Sequence, residues 1–197
     1  MKRVNLERIA IRAARMLGDR DCALVGGLAV GAHGYVRATT DVDFVTRIPL
    51  KEACERLKAH GVPAELRRGD VLEGDFPCVR ATVDGTRVDV MPPLVALDWE
   101  KSIELPMGRR GRLLVVDLAG LIRLKMRAGG PKDLMDVAAL VLQHPEHLAL
   151  AREVATAYRA TDSLELWLED PRLKQELARA GRSKASRGRV PRARRPL

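Results

Sequence analysis

The chain has 197 residues, 46% hydrophobic and 31% charged, which is typical of a soluble globular protein that can bury a full core. Aromatic residues make up only 3% of the chain, which argues against the base-stacking platforms of single-strand binders. No run of ~20 apolar residues occurs, so no membrane span is expected. The 3 cysteines are widely spaced, which predicts buried free thiols and a cytoplasmic protein.

The N-terminal part of the sequence predicts helices that alternate with short strands. Apolar residues recur at helical spacing from Asn5 to Leu17, and Gly18 is expected to stop that helix. The elements predicted after it are, in order, a buried strand at Asp21–Val25, a helix at Gly27–His33, a strand at Val42–Thr46 and a helix at Leu50–His60.

The next segment predicts antiparallel sheet. Asp84-Gly85 is a two-residue turn of the strongest hairpin type, and Pro92-Pro93 is expected to end the strand that follows it. The predicted elements are strands at Pro77–Val83 and Thr86–Met91, a helix from Leu94 to about Trp99, and a hairpin formed by Ile103–Leu105 and Leu113–Val116.

From Asp117 onward the pattern is helical. Asp117 can cap the first helix of this region, and Gly129-Gly130-Pro131 breaks the chain after it. Helices are predicted at 118–128, 132–143, 145–159, 163–169 and 171–180. The fold class is therefore α+β, a mixed β-sheet packed with helices and followed by a C-terminal helical region.

The positive charge is concentrated at the C-terminus. The net charge is +9, and residues 181–197 hold seven basic residues and no acid, so removing those seven leaves +2 for residues 1–180. With few large apolar residues, this tail is expected to be disordered. The predicted organisation is an α/β core at 1–116, a helical region at 117–180 and a basic tail at 181–197.

Two acids and a glycine pair form the most informative motif. Asp41 and Asp43 are two positions apart beside a strand, so their carboxylates project on the same side, within reach of a shared cation. Gly26-Gly27 follows a short apolar strand and opens a helix, where backbone N–H groups can hold a phosphate. The acids could instead lie on a solvated strand edge, and the glycines could simply form a tight turn.

A third acid, Asp89, alternates with Val88 and Val90 on a predicted strand. If that strand pairs with Val42–Thr46, the three carboxylates meet and form a hard-oxygen site suited to Mg²⁺ or Mn²⁺. The alternative is that Asp89 is a polar residue on the outer face of an amphipathic strand.

These motifs resemble those of a known family. The segment GGLAVGAHGYVRATTDVDFV, with Asp89 on a later strand, resembles the minimal nucleotidyltransferases of the polymerase-beta superfamily, and more narrowly the bacterial abortive-infection toxin type. The segment LIRLKMRAGGPKDLMDVAAL is similar to the helical part of that family, where a lysine precedes an Asp-containing helix. The resemblance covers roughly residues 20 to 143.

The resemblance implies two-metal transfer of a nucleotide from an NTP to an acceptor hydroxyl. Asp41, Asp43 and Asp89 would be the catalytic metal ligands, with Asp89 also assisting deprotonation of the acceptor. The nucleotide would be bound by Gly26, Gly27, Arg37, Thr40 (or Thr39) and Lys125. Arg37 could instead be a surface charge or pair with Asp41, and Lys125 could lie on a solvated flank or pair with Asp133 or Asp136.

The second substrate is not encoded in these motifs. An RNA end, a protein hydroxyl and a small molecule are all open as acceptors, and the basic tail modestly favours RNA. A toxin role with a protein antitoxin or a regulatory partner is one further expectation. The alternative function is a catalytically silent nucleotide- or RNA-binding module on the same fold.

Overall fold

The computed structural model describes residues 5–69, 76–107 and 111–187, and within these ranges seven strands form one mixed sheet flanked by eight helices. The strands are β1 (Cys22–Val25), β2 (Val42–Thr46), β3 (Ala64–Arg67), β4 (Cys78–Val83), β5 (Thr86–Met91), β6 (Ile103–Met107) and β7 (Gly111–Val115). The helices are α1 (Leu6–Leu17), α2 (Gly26–Ala32), α3 (Leu50–Ala59), α4 (Leu118–Ala128), α5 (Pro131–Gln143), α6 (Leu148–Ala157), α7 (Thr161–Glu169) and α8 (Pro171–Arg187). The predicted α+β class, a mixed sheet with helices and a C-terminal helical region, is confirmed.

The sheet has the strand order β3-β4-β5-β2-β1-β7-β6. Most neighbours are antiparallel, but β2 runs parallel to β5 and β1 runs parallel to β7. The β4–β5 hairpin turns at Asp84-Gly85, as the sequence predicts. The pairing of β2 with β5 brings two segments together that are more than forty residues apart in the chain.

The alternation of side chains along β2 separates the face that packs in the main core from a second face that carries Asp43. Val42 and Phe44 are fully buried in the main hydrophobic cluster, together with residues of α1, α3 and the C-terminal helices. Asp43 and Val45 point to the other face, because successive strand residues alternate. There Val45 joins a smaller apolar cluster with Ala23 and Val25 of β1. One carboxylate is thus carried on the second face by a strand whose remaining residues are buried.

The C-terminal helices begin with a tight helical hairpin. Asp117 caps α4 by accepting a hydrogen bond from the Gly120 N–H at 3.2 Å. Gly129 ends α4 in a left-handed conformation (φ 67°), and Pro131 occupies the first turn of α5. This reversal places the last turn of α4, which contains Lys125, against the first two turns of α5.

Three details differ from the sequence prediction. The helix expected at 94–99 does not form; Asp98 instead caps a short 3₁₀ turn at Trp99–Lys101. The edge strand β3 was not predicted. Helix α8 continues to Arg187, past the expected start of disorder at Gly181, because its Ala, Arg and Lys residues favour helix and no proline interrupts them. The rest of the tail, 188–197, lies outside the described residues, and the division into a core, a helical region and a tail remains a prediction.

Two further expectations concern the burial of the cysteines and the presence of a membrane-spanning helix. Cys22, Cys54 and Cys78 are buried, as predicted, and none of them forms a disulfide bond within the described residues. None of the helices in 5–69, 76–107 and 111–187 is long and apolar enough to cross a membrane.

The buried face of β2 generates a first prediction. Phe44→Ala removes a fully buried side chain from a central strand and should lower the free energy of unfolding by about 3–5 kcal/mol. Val36→Ala is the control, because Val36 is 73% exposed and its truncation should change stability by less than ~0.5 kcal/mol. Urea unfolding of both variants measures the difference, and similar losses in the two would contradict this description of the core.

Candidate metal and phosphate site

The three predicted carboxylates lie at the beginning of β2 and on its parallel neighbour. Asp43 is the direct cross-strand partner of Asp89 in the β2–β5 register. Asp41 precedes β2 by one residue, two positions from Asp43. The strand pairing that the sequence prediction requires is therefore present, and it places the acids on neighbouring backbone positions.

Asp43 lies in surroundings that disfavour its charged form. Burial, and after it the negative charges of Asp41 and Asp89, raise the pKa of Asp43 to about 6, while Lys125 and Arg87 act in the opposite direction. The ionised form of this carboxyl group is therefore disfavoured, since like charges and desolvation both act against ionisation. A cation at this position would relieve both effects.

Arginine and threonine side chains contact the other two acids. Arg80 on β4 forms a two-pronged ion pair with Asp89, with both N–O distances at 2.9 Å. Arg87 on β5 contacts Asp41 and lies 3.6 Å from Asp89. Burial acts to raise the pKa of Asp41, but hydrogen bonds from Thr39 and Arg87 hold it below its usual value.

Neither arginine was predicted as part of the site, although the sequence contains the signal for both. In a hairpin with a two-residue turn at Asp84-Gly85, residues pair outward from Val83 and Thr86, and that count pairs Arg80 with Asp89. Arg87 is two positions before Asp89 and shares its face.

The glycine pair lies directly against the acids. Gly26 has φ 65°, and a Cβ added to it would be 2.0 Å from an Asp43 carboxylate oxygen. A Cβ added to Gly27 would be 2.7 Å from the Thr39 hydroxyl and 3.2 Å from Arg37 Nη1. Both positions therefore require glycine, for close approach of side chains from the loop and from β2.

The loop between α2 and β2 directs alternate side chains inward. Thr39 donates its hydroxyl hydrogen to Asp41 at 2.9 Å, whereas Thr40, the residue assigned to nucleotide binding from the sequence, is exposed. Arg37 is not paired with Asp41. Its Nε and Nη2 donate to the two carboxylate oxygens of Asp136, at 2.5 and 2.6 Å.

Lys125 takes part in the same group of charges. Its ammonium lies 2.6 Å from Asp133 and 3.0 Å from Asp136, so the pairing left open in the sequence is the one observed. Asp136 is completely buried, and the side chains of Arg37 and Lys125 are each 10% exposed. Among the described residues, no buried side-chain nitrogen or oxygen is left without a hydrogen-bond partner.

A largely apolar cleft of about 270 Å³ opens beside Asp43. Its floor includes Gly26 and Asp43, and Lys125 and Asp133 lie at its polar side. The apolar part of the lining comes from β1, β5 and α4 and from residues near them: Val25, Phe76, Met91, Leu94, Leu121, Leu124 and Ala128. An apolar cleft with a few convergent polar groups is the usual form of a small-molecule site.

The acids suit a hard cation in their chemistry. Carboxylate oxygens are the donors that Mg²⁺ and Mn²⁺ prefer, and the raised pKa of Asp43 reflects its burial and, after that, the negative charges of Asp41 and Asp89. Within 5–69, 76–107 and 111–187, however, no group of three acidic, histidine or cysteine side chains is arranged to hold a metal ion. The contacts account for this, since Arg80 and Arg87 hold Asp89 and Asp41. Asp43, which lies beside Asp41 and takes part in no described ion pair, fits a cation best, and the three-carboxylate site remains a prediction.

No protein-family model and no curated protein matches the chain, but solved structures do. A candidate nucleotidyltransferase from Thermotoga maritima is 16% identical, with a TM-score of 0.44, and the match covers 64% of this chain and 88% of that one. A candidate nucleotidyltransferase from H. pylori is 13% identical, with a TM-score of 0.45 and coverage of 94% and 97%. The antibiotic-resistance factor ANT(2'')-Ia is 13% identical, with a TM-score of 0.44 and coverage of 92% and 94%. Likeness at this level assigns no activity to the chain.

The close approach at Gly26 generates a second prediction. Gly26→Ala introduces a methyl group where Asp43 lies and requires a left-handed backbone, so it should cost at least ~1–2 kcal/mol of stability. Gly31→Ala is the matched control in the same helix, because a Cβ there meets nothing within 4 Å. That variant should be neutral or more stable by up to ~1 kcal/mol. Thermal unfolding compares the two, and equal effects would refute the described contact.

The raised pKa of Asp43 generates a third prediction. The folded chain holds the Asp43 proton up to about pH 6, whereas the unfolded chain releases it near the ordinary value of 3.8. Since the folded state binds more protons in that window, this group makes the free energy of unfolding fall as pH rises from about 4 to 6, by about 3 kcal/mol.

Asp43→Asn should remove that pH dependence. The variant should therefore gain stability relative to the original chain between pH 4 and pH 7.5, as measured by urea unfolding at both values. A stability difference that stays constant with pH would show that Asp43 is ionised at an ordinary pKa.

Proposed function

We propose that the chain is a nucleotidyltransferase that moves a nucleoside monophosphate from an NTP to an acceptor hydroxyl. The observation that carries this proposal is Asp43, a half-buried carboxylate whose pKa is raised to about 6, beside Asp41 and Asp89 and in contact with Gly26. The arrangement suits chemistry on a polyanionic substrate that brings its own cation. The adjoining cleft of about 270 Å³ offers an apolar surface for a base or sugar.

The proposed reaction is an in-line displacement at phosphorus. The acceptor oxygen forms a bond to the α-phosphorus of the NTP, the bond from that phosphorus to the bridging oxygen breaks, and pyrophosphate leaves. The Gly26 and Gly27 backbone would lie against the triphosphate, and Asp89 would accept the acceptor's proton. Lys125 lines the cleft next to Asp43 and would offset phosphate charge.

Asp41 and Asp43, with Asp89, would hold Mg²⁺ or Mn²⁺. When bound, such an ion neutralises developing charge and orients the phosphates. The proposal does not specify which NTP is used. It names the acceptor only by class: an RNA end, a protein or a small molecule. A toxin role under the control of a protein partner is a narrower form of the same proposal.

One observation favours a second candidate function. Arg80 and Arg87 already neutralise Asp89 and Asp41, as expected for a nucleotide- or RNA-binding module that has no catalytic activity. Calorimetry with Mg²⁺ and each NTP, combined with the labelling assay below, separates the two: binding without any transfer would support the module.

The fourth prediction tests the activity directly. The pure protein is incubated with α-labelled NTPs, Mg²⁺ or Mn²⁺ and total cell extract, and label is then measured in the RNA, protein and small-molecule fractions. We expect one fraction to become labelled. Asp41→Ala/Asp43→Ala should reduce labelling by more than ~100-fold, since even the outer-shell partners of metal ligands are worth about 10–100-fold.

Asp162→Ala is the control for that double variant. Asp162 is an exposed acid in the first turn of α7, so its removal should leave labelling unchanged. Labelling that survives in the double variant would refute the assigned roles of Asp41 and Asp43.

A further inference from the structure

Asp136 on α5 is the most deeply buried charged residue near the site, with no exposed side-chain surface. A buried carboxylate is costly unless it is paired and fully hydrogen-bonded. Asp136 meets that condition through two cations from different parts of the chain, Arg37 on the α2–β2 loop and Lys125 on α4. It therefore joins the loop to both helices of the α4–α5 hairpin.

The contact with Arg37 is directional. Both carboxylate oxygens of Asp136 accept hydrogen bonds from the guanidinium, which fixes the plane and the position of the group. The remaining nitrogen, Nη1, donates to the Ala38 carbonyl at 3.1 Å. Each of the three nitrogens of Arg37 thus donates a hydrogen bond within the protein.

The fixed guanidinium in turn shapes the loop beside the acids. Arg37 and Thr39 both approach Gly27, and Thr39 donates to Asp41. The side chains between them and on either side, those of Val36, Ala38 and Thr40, are exposed. Within the segment 36–40, the inward contacts therefore come from Arg37 and Thr39 alone.

We propose that Asp136 is a positioning residue: through Arg37 it holds residues 36–40 so that Thr39 lies against Asp41. This differs from the nucleotide-binding role assigned to Arg37 from the sequence. The consequence for cation binding at Asp41 rests on the proposed function, but the effect on the loop does not.

Loop order is the first measurement, and it requires neither metal nor activity. Asp136→Asn keeps the shape but removes the charge, and Arg37→Lys keeps the charge but loses the two-pronged geometry. Both should raise amide hydrogen exchange in residues 34–41 by about tenfold or more, while α3 exchanges as before. If Asp136→Asn fails to fold, Arg37→Lys decides.

Asp133→Asn is the matched control, because Asp133 lies on the same helix and binds Lys125 without contacting Arg37 in any described hydrogen bond or ion pair. It should leave exchange of the loop unchanged. Equal loop exchange in Asp133→Asn and Asp136→Asn would overturn the proposal, as would an increase spread evenly over α4 and α5, which a purely structural role predicts. The double variant Arg37→Lys/Asp136→Asn should add little to either single change, since both act through one contact.

Cation affinity is the second measurement. Mn²⁺ binding, followed by its electron paramagnetic resonance signal, should weaken by about 10–100-fold in Asp136→Asn and Arg37→Lys. If the unaltered chain binds no Mn²⁺, the metal part of the proposed function fails, and loop exchange alone decides the role of Asp136. Unchanged Mn²⁺ affinity together with unchanged loop exchange would refute the positioning role.

Discussion

The side-chain alternation of β2 sets which face of the sheet carries Asp43 and, through the pairing with β5, Asp89. Phe44 is fully buried in the main core, and the two-residue period of a strand then forces Asp43 to the opposite face. Slipping β2 by one residue would place the carboxylate in the main core and the phenyl ring on the second face, so the register is strongly specified. The parallel pairing with β5 transfers the same constraint to Asp89. Burial of one aromatic side chain thus fixes where two acids meet.

Placing Asp43 beside Asp89 costs electrostatic free energy, and three basic side chains from β4, β5 and α4 offset part of it. Two like charges 4 Å apart repel by roughly 4 kcal/mol at an effective dielectric of 20. Arg80 on β4 and Arg87 on β5 pair with Asp89 and Asp41, and Lys125 on α4 acts on Asp43 from a greater distance. Asp43 takes part in no described ion pair, and its burial, followed by the charges of Asp41 and Asp89, raises its pKa. An incoming cation would gain most at Asp43, and at Asp41 it would compete with Arg87.

The sequence predicts the local features of this site better than the long-range ones. The strands carrying Asp43 and Asp89 follow from apolar alternation and from the Asp84-Gly85 turn, and the same turn specifies the partner Arg80. The pairing of Arg37 with Asp136 joins residues 99 positions apart, and no periodicity encodes such a contact. The helix expected at 94–99 shows the opposite failure. There a helix is predicted from Leu94, directly after Pro92-Pro93, but the capping side chain in this segment is Asp98, which begins only a 3₁₀ turn.

The buried charges also change how the two predicted regions of the chain relate to each other. A boundary after residue 116 follows from the change in sequence pattern, and it separates an α/β region from a helical one. Yet Arg37 and Thr39 come from the first region, while Asp136 and Lys125 come from the second. A charge network with almost no solvent access cannot be divided without leaving an unpaired buried ion, which is strongly destabilising. The α4–α5 hairpin is therefore joined to the loop beside the acids by buried ion pairs between residues of both regions.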